Sequence, residues 1–573
     1  MLPSLTTNPE EFIQWDWQRY EPYFQDLLSR PLDRDNVGEW LAMWTRLGEL
    51  VIESHNRLLL AVNLDTTDEA AEARYYAFLD GVFLKAQAAD QKLKEKLLDS
   101  ELVPEGFQNP LRQMRAEAEL FREENLPLLS EERKLTSRYD KLIGAQTVNW
   151  EGEELTLTQL RPVYQDPDRK RREGAWRLAA GRQLADREAI NEVWASLLEL
   201  RLRLADNAGL PDYRAFRWQQ LHRLDYTPED ARQFGRAVEQ VVVPAATRIY
   251  AKHRRRLGVD ALRPWDMDRD LYPVLHPSLP SYGSGQDLER VAGSIFLRVD
   301  PWLGEYFGIM RRDQLLNLAN RKGKAPGAYC TSFPVSRRPF IFMNAVGLSD
   351  DVRTILHETG HAFHVFETLY LPYVQQRHPS LEFAEVASMS MELLAYPYLS
   401  VEKGGLYSEE DAARARIEHL EHIIAFWPYM AVVDSFQHWV YENHQAAMDP
   451  ANCDAAWLDL WRRYIPGVDW SGLEAEAMTG WHRKLHIHRY PFYYLEYGLA
   501  QLGAVQVWSN ALKDQAGAVS DYRRGLALGN TVPLPELFRA AGGRLAFDAE
   551  TLAEAVQLIE GTIGELEATV PTP

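Results

Sequence analysis

Two histidines four residues apart, with a glutamate beside the first, place the tightest constraint on how this chain can fold. The stretch reads His357-Glu358-Thr359-Gly360-His361. In a helix, residues four apart project from one face, so both imidazoles can reach one point while the glutamate enters the same pocket from a neighbouring angle. Two imidazoles and a carboxylate in this pattern favour a zinc site. The spacing therefore predicts a helix that carries two metal ligands.

Signals at both ends support this helix. Ser349 is a suitable N-cap, and Asp350 and Asp351 lie in the first turn, where the helix dipole favours negative charge. Pro372 is placed to end the run. We therefore expect one helix to hold the whole histidine-glutamate motif.

A catalytic zinc site needs one more protein ligand and leaves the fourth position to water. Three glutamates lie in the next predicted helix: Glu382, Glu385 and Glu392. Glu385 and Glu392 are seven residues apart and share a helix face, so one can bind the metal while the other hydrogen-bonds to a ligand. We expect Glu385 to be the ligand and Glu392 to be its support, with Glu382 as a minor alternative ligand.

Five short motifs occur in order along the chain: Gly327 to Cys330, Phe340 to Asn344, the histidine motif with His364 behind it, Phe383 to Ser388, and His488 to Tyr497. Together they resemble the M3 family of metallopeptidases, in its oligoendopeptidase F and Pz-peptidase branch. The resemblance runs from about residue 140 to the C-terminus. It implies that Glu385 is the third ligand of one Zn²⁺ per chain and that His364 supports the ligands.

The last informative stretch is rich in histidine and tyrosine. Peptide hydrolysis builds negative charge on the former carbonyl oxygen, and imidazole or phenol donors stabilise that charge. By the resemblance, we assign this role to His488, Tyr493 and Tyr497. Tyr490 and Tyr494 are candidates for substrate contact, with simple packing as the alternative.

A β-rich segment precedes the metal helix. In zinc peptidases, a strand edge beside that helix can pair with the substrate backbone. Gly327, Ala328 and Tyr329 are therefore candidate substrate-binding residues. A structural hairpin beneath the metal helix is an equally weighted interpretation.

Helix-forming stretches dominate the rest of the chain and predict a mainly α fold. Residues 84–101 and 111–139 are rich in Ala, Leu, Glu, Lys and Arg, and a short β-hairpin with a glycine turn is expected near 146–158. We expect two helical lobes that enclose a substrate cleft or channel, with a small β-sheet near the zinc site. Residues 1–190 would form the N-terminal lobe and 191–573 the catalytic domain.

The net charge and the cysteine content bear on which partners the protein can bind and on its location in the cell. With 63 basic and 83 acidic residues, the net charge of −20 disfavours nucleic acid and anionic membranes as partners, since the field repels polyanions. Two cysteines encode no disulfide framework. The N-terminus has no basic region followed by an apolar core, and no apolar run is long enough to span a bilayer. A cytoplasmic protein is expected, and the choice between monomer and homo-oligomer stays open.

These observations predict a zinc endopeptidase in which Glu358 takes a proton from the attacking water. That the substrates are short peptides is what the resemblance implies. Two alternatives stay open: a zinc exopeptidase, such as a carboxypeptidase or dipeptidyl carboxypeptidase, and a non-catalytic peptide-binding protein stabilised by zinc. The retained Glu358 counts against the second, because a purely structural zinc site prefers four protein ligands.

Overall fold

The computed structural model describes residues 4–268, 272–273, 279 and 282–570. Helices make up most of this part of the chain, which confirms the predicted mainly α class. The first six helices, α1 to α6, span Pro9–Phe12, Trp17–Ser29, Val37–Leu64, Glu69–Phe78, Leu84–Asp99 and Gln108–Leu120. Trp40 and Trp44, four residues apart on α3, are almost fully buried and meet edge to face with ring centroids 5.1 Å apart. Their role is core packing.

The next segment contains the expected β-hairpin. Strands β1 and β2 span Thr147–Trp150 and Glu153–Thr156 and pair antiparallel. Both turn residues, Glu151 and Gly152, have positive φ (53° and 92°), which matches the twist that a two-residue hairpin loop requires. Helices α7 to α12 span Asn125–Gly144, Arg169–Ala185, Arg187–Asn207, Tyr213–Gln220, Pro228–Ala237 and Val243–Leu257. Strands β3 and β4, Met267–Asp268 and Tyr272–Pro273, form a second short antiparallel pair.

A three-stranded sheet precedes the metal helix. Helices α13 and α14 span Gly285–Val299 and Pro301–Arg312, and strands β5, β6 and β7 span Leu316–Ala319, Tyr329–Phe333 and Arg338–Ala345. The strand order is β5-β7-β6, with β5 parallel and β6 antiparallel to β7. Helices α15 and α16 follow as Ser349–Thr368 and Leu381–Leu394. Strands β6 and β7 pack against α15, so the small sheet lies beside the histidine motif.

The remainder of the chain is helical. Helices α17 to α25 span Glu409–Glu442, His444–Ala447, Pro450–Tyr464, Glu474–Met478, Leu485–His488, Tyr494–Ala511, Gln515–Ala527, Leu534–Ala540 and Ala549–Thr569. Within the described ranges, no helix combines the length and the apolar character that a membrane span requires.

The chain packs into two compact units, each assembled from three separate segments. One unit contains Met1–Ala118, Ser278–Ala412 and Gly503–Leu545, and the other contains Glu119–Pro277, Ala413–Leu502 and Ala546–Pro573. The expected division between residues 190 and 191 does not coincide with either unit. The reason is local packing, because α7 and α9 share one apolar cluster across that point. That two lobes enclose a cleft stays a prediction.

Candidate metal and active site

The start of α15 is fixed by a carboxylate in its first turn. One oxygen of Asp351 accepts hydrogen bonds from the backbone N–H groups of residues 346–348 at 2.8–2.9 Å and from the hydroxyl of Tyr282 at 2.6 Å. The helix begins at Ser349 itself, so the predicted N-cap role of Ser349 is wrong by one position. Asp351 fixes the start of the helix instead, because it accepts hydrogen bonds from the N–H groups of the residues just before it.

Helices α15 and α16 approach each other closely at Gly360. A Cβ atom at this position would lie 2.6 Å from the Cα of Ser388 and 2.7 Å from the carbonyl oxygen of Ala387. That carbonyl oxygen also accepts a hydrogen bond of 2.8 Å from the hydroxyl of Tyr522. Only glycine lets the two helix backbones meet here, and this contact sets the distance between the histidine pair and Glu385.

We expect Gly360→Ala to destabilise the fold by about 1–3 kcal/mol, as overpacking in a core does, and to weaken metal binding. Urea unfolding and zinc titration would measure both effects. Gly181→Ala is the matched control, since Gly181 lies at an exposed helical position where an added Cβ would meet no atom within 4 Å. There alanine should be neutral or stabilising. Equal behaviour of the two variants would show that the helix contact is not tight.

Helices α15 and α16 bring together His357, His361 and Glu385. The Nε2 atoms of His357 and His361 lie 3.5 and 3.9 Å from Oε2 of Glu385. Ligand atoms of a tetrahedral zinc site lie about 3.4 Å apart, so this donor set fits the ion. In the part of the chain that the structure describes, these three residues are the one group of possible metal ligands. The alternative ligand Glu382 is not part of it.

Glu392 fixes the orientation of His357. Its Oε1 atom lies 2.7 Å from Nδ1 of His357, so Nδ1–H donates to the carboxylate and the Nε2 lone pair is left for a metal. Burial opposes protonation of His357, but its hydrogen bonds to Glu385 and Glu392 raise its pKa well above the ordinary value. The two carboxylates therefore make this a site for positive charge.

Glu358 lies beside the three candidate ligands and is 7% exposed. Burial, together with the negative charge of Glu385, raises its pKa to about 7, while His357 opposes the shift. The backbone N–H of Cys330 on β6 hydrogen-bonds to its carboxylate. A carboxylate with a pKa near neutrality suits a general base.

Strand β6 is an edge strand, because only its β7 side is paired within the sheet. Gly327 precedes it with φ of +98° and is exposed, and its carbonyl oxygen accepts a 2.9 Å hydrogen bond from Asn344. The hydroxyl of Tyr329 accepts a 2.8 Å hydrogen bond from Asn63. The side chain of Tyr329 is thus used within the fold, while the backbone of Gly327 and Ala328 lies at the open end of the edge.

His364 does not support the metal ligands as expected. It is 5% exposed and meets the ring of Phe383 edge-on, with ring centroids 5.9 Å apart. Burial lowers its pKa to about 3, so the imidazole is neutral. Within the described residues it makes no hydrogen bond to His357, His361 or Glu385. His364 lies against Phe383 of α16, where it is a packing residue.

A second cluster of candidate residues surrounds His486. The centroid of its ring lies 4.8 Å from that of Tyr494, 5.9 Å from Tyr493, 6.2 Å from Tyr497 and 6.5 Å from Tyr490. Tyr490 is 40% exposed and Tyr494 is 7% exposed, so Tyr494 belongs to the packing of the cluster.

His486 has the properties of a neutral hydrogen-bond donor. It is partly exposed, and its Nδ1 atom has no hydrogen-bond partner within the described ranges. Burial and the nearby charge of Lys484 lower its pKa to about 3. The ring therefore carries one N–H at neutral pH.

His488, the histidine assigned from the sequence, lies in the core instead. It is fully buried, and its ring stacks on Tyr139 and Trp481 with centroid distances of 4.3 and 5.7 Å. Its Nε2 atom lies 3.3 Å from the carbonyl oxygen of Trp481. No face of this imidazole is open to a substrate, so its position does not support the oxyanion role predicted for His488.

No helical spacing in the sequence singles out His486. Its offsets of 4, 7 and 11 to Tyr490, Tyr493 and Tyr497 carry no such meaning, because α21 ends at His488 and Phe492, with φ of +63°, separates it from α22.

Comparison with known protein families identifies the family of this protein. The model of Peptidase family M3 matches residues 163–557, which is more than half of the chain. The protein therefore belongs to Peptidase family M3.

Two curated relatives carry oligopeptidase names. Oligopeptidase PepF of Bacillus subtilis (strain 168) is 24% identical over 335 residues, 57% of this chain and 47% of PepF. The oligoendopeptidase F homolog of Mycoplasma pneumoniae is 21% identical over 313 residues, 51% of this chain and 48% of that protein. The matches span about half the length of these curated relatives.

Solved structures resemble the chain over nearly its whole length. Pz peptidase A, solved with an inhibitor, is 28% identical with a TM-score of 0.87, and the match covers 97% of this chain and 99% of the other. An X-ray structure provisionally assigned to oligoendopeptidase F is also 28% identical, with a TM-score of 0.85 and coverage of 96% and 97%.

Proposed function

We propose that the protein is a zinc-dependent endopeptidase that hydrolyses internal bonds of short oligopeptides. The observation that carries this proposal is the convergence of His357, His361 and Glu385 with Glu358 buried beside them. The names of the relatives, oligopeptidase, oligoendopeptidase and Pz peptidase, support the choice of substrate class.

His357, His361 and Glu385 would hold one zinc ion per chain. When bound, zinc supplies a Lewis acid that polarises the peptide carbonyl and lowers the pKa of water to about 7. Hydrogen bonds orient two of the candidate ligands. Glu392 accepts a hydrogen bond from Nδ1 of His357, which leaves Nε2 for the metal, and the hydroxyl of Ser388 donates a 3.2 Å hydrogen bond to Glu385.

Glu358 moves the proton in this mechanism. Its carboxylate accepts a proton from the water that attacks the scissile carbonyl and then delivers it to the leaving amine. Burial raises the pKa of Glu358, which suits a group that acts first as base and then as acid.

Hydrogen-bond donors stabilise the negative charge that develops on the carbonyl oxygen. We assign this role to His486, Tyr493 and Tyr497, with His486 in the place first given to His488. The neutral imidazole and its grouping with the two phenols support the assignment. Loss of such a donor typically costs about 10²–10³ in rate.

The accessible backbone of Gly327 and Ala328, just before β6, would bind the substrate as an added strand. Backbone pairing at Gly327 and Ala328 fixes a peptide in an extended conformation without contacting either of its ends. Binding of this kind favours an endopeptidase, because an exopeptidase needs a charged group for the terminal carboxylate or amine.

Cleavage of a short, internally quenched peptide with both ends blocked tests the proposal. We expect internal cleavage that a zinc chelator abolishes and added Zn²⁺ restores, because the Lewis acid is lost and regained. Mass spectrometry of the fragments identifies the bond. Activity only on peptides with free ends would support an exopeptidase, and zinc binding without cleavage would support the peptide-binding alternative.

A further inference from the structure

Phe492 has an unusual backbone conformation close to the His486 cluster. Its φ of +63° lies in the left-handed region, which a bulky aromatic residue rarely adopts. The side chain is fully buried, and its ring packs against those of Trp218, His438 and Tyr441 at centroid distances of 5.3–5.6 Å. Strain of this kind persists only where the surroundings fix it, and it concentrates at functional sites.

Two arginines bind the carbonyl oxygens on either side of this turn. Nε of Arg217 donates to the oxygen of Pro491 at 3.1 Å, and Nη2 of Arg223 donates to the oxygen of Phe492 at 2.6 Å. The N–H of Phe492 in turn donates to the side-chain oxygen of Gln437 at 2.7 Å. The peptide groups around the turn are thus held by side chains rather than by helix or sheet.

A third arginine holds the residues just before the turn. Arg201, fully buried, donates to the carbonyl oxygens of Ile487, at 3.1 Å, and His488. We call Arg201, Arg217 and Arg223 the arginine clamp.

Two carboxylates offset the charge of the clamp, and one of them, Glu496, is fully buried. Glu132 lies 2.8 Å from Arg201, and Glu496 lies 3.0 Å from Arg223, whose side chain is 0% exposed. Burying charged groups is costly even when they are paired. Ion pairs placed in the core to bind backbone oxygens point to a need for a fixed backbone, since apolar residues would fill the same space more cheaply.

We propose that Arg217 and Arg223 are positioning residues that hold the Phe492 turn and thereby fix the direction of Tyr493 relative to His486. The proposal rests on the proposed function, because it assigns the clamp to the donors of the oxyanion. Phe492 lies between His486 and Tyr493 in the chain. Any relaxation of its backbone therefore changes the position of one of these donors relative to the other.

A purely structural clamp gives a different result from a positioning clamp. If the clamp only stabilises the fold, replacing one of its arginines would lower the stability of the protein and leave turnover per folded molecule unchanged. A positioning clamp would lower kcat and leave KM and zinc content unchanged, because the donors act on charge that exists only in the transition state.

Arg217→Ala tests this directly, because Arg217 is partly exposed and its removal leaves no buried carboxylate unpaired. Arg236→Ala is the matched control, an arginine with a 58% exposed side chain that pairs with Glu229. We would measure kcat and KM on the quenched peptide, zinc content, and hydrogen exchange of the backbone amides between residues 487 and 493, of which Pro491 has none.

For Arg217→Ala we expect kcat to fall about 10- to 100-fold, as small misplacements of catalytic groups do, with faster exchange at residues 487–493. Arg217→Lys, which keeps one donor, should recover part of the loss. The control should match wild type. Faster exchange with unchanged kcat would reduce the clamp to a structural role, and unchanged exchange would show that Arg217 does not hold the turn.

Two other outcomes, an inactive wild type and a variant that does not fold, have different meanings. If wild type does not cleave peptides, the proposed function fails on its own, while the exchange measurement still reports on the clamp. If Arg217→Ala does not fold, Arg223→Lys replaces it, since lysine keeps a positive charge opposite Glu496 and loses the guanidinium geometry. Full kcat in Arg223→Lys would then overturn the proposal.

Discussion

Glu358→Gln will lose nearly all turnover while it keeps its metal. The amide is almost the same size as the carboxylate but cannot accept a proton, so general-base catalysis, typically worth about 10²–10⁴ in rate, is removed. The three candidate ligands His357, His361 and Glu385 are unchanged, so zinc content should equal that of wild type. Steady-state cleavage of the quenched peptide and elemental analysis of the same samples measure the two quantities.

Glu382→Gln is the matched control for this experiment. Glu382 is a buried glutamate, 2% exposed, on α16, outside the group of metal ligands. Its replacement should leave zinc content and kcat close to wild type. A Glu358→Gln variant that cleaves as fast as wild type would show that another group accepts the proton.

Glu385→Ala will lose the metal itself. Removing the carboxylate leaves two imidazoles, and two ligands cannot complete the three-residue set of a catalytic zinc site. Glu392→Gln makes a graded comparison, because it keeps the three candidate ligands and weakens the hydrogen bond to Nδ1 of His357, and losing such a partner costs about 10–100-fold in affinity. We expect Glu385→Ala to lose more than that, measured by competition with a chelator of known affinity.

The comparison of zinc affinity between Glu385→Ala and Glu392→Gln decides which glutamate is the ligand. If Glu392→Gln weakens zinc binding more than Glu385→Ala does, the roles of the two glutamates are reversed. If neither changes the affinity, the metal is bound elsewhere in the chain.

Local patterns predicted the parts of the site that depend on one or two helices. The offset of four between His357 and His361 needs only a helix, and α15 provides it. The choice of Glu385 and Glu392 followed from their offset of seven on a second helix, and both reach His357 in the structure. What the pattern could not show is why the helices approach closely enough, which depends on Gly360.

The sequence could not show which of two neighbouring histidines lies at the site. His486 and His488 both lie on α21, a single turn, and residues two apart point to opposite sides of a helix. Which of them enters the core depends on Tyr139 and Trp194, which are hundreds of residues away in the chain. Only long-range packing decides that choice.

Domain organisation was out of reach for the same reason. Each compact unit combines three segments that are distant in sequence. Three of the junctions between these segments, after residues 118, 412 and 502, fall within α6, α17 and α22. A continuous helix has no composition change to signal a boundary.

The most direct test of the central claim is anomalous X-ray diffraction at the zinc edge from crystals of the zinc-loaded protein. We expect one peak per chain, about 2.0–2.2 Å from Nε2 of His357, Nε2 of His361 and a carboxylate oxygen of Glu385. Glu358 should lie near this peak without binding it. A peak at any other group of residues, or a peak bound directly by Glu358, would contradict the assignment of ligands and base.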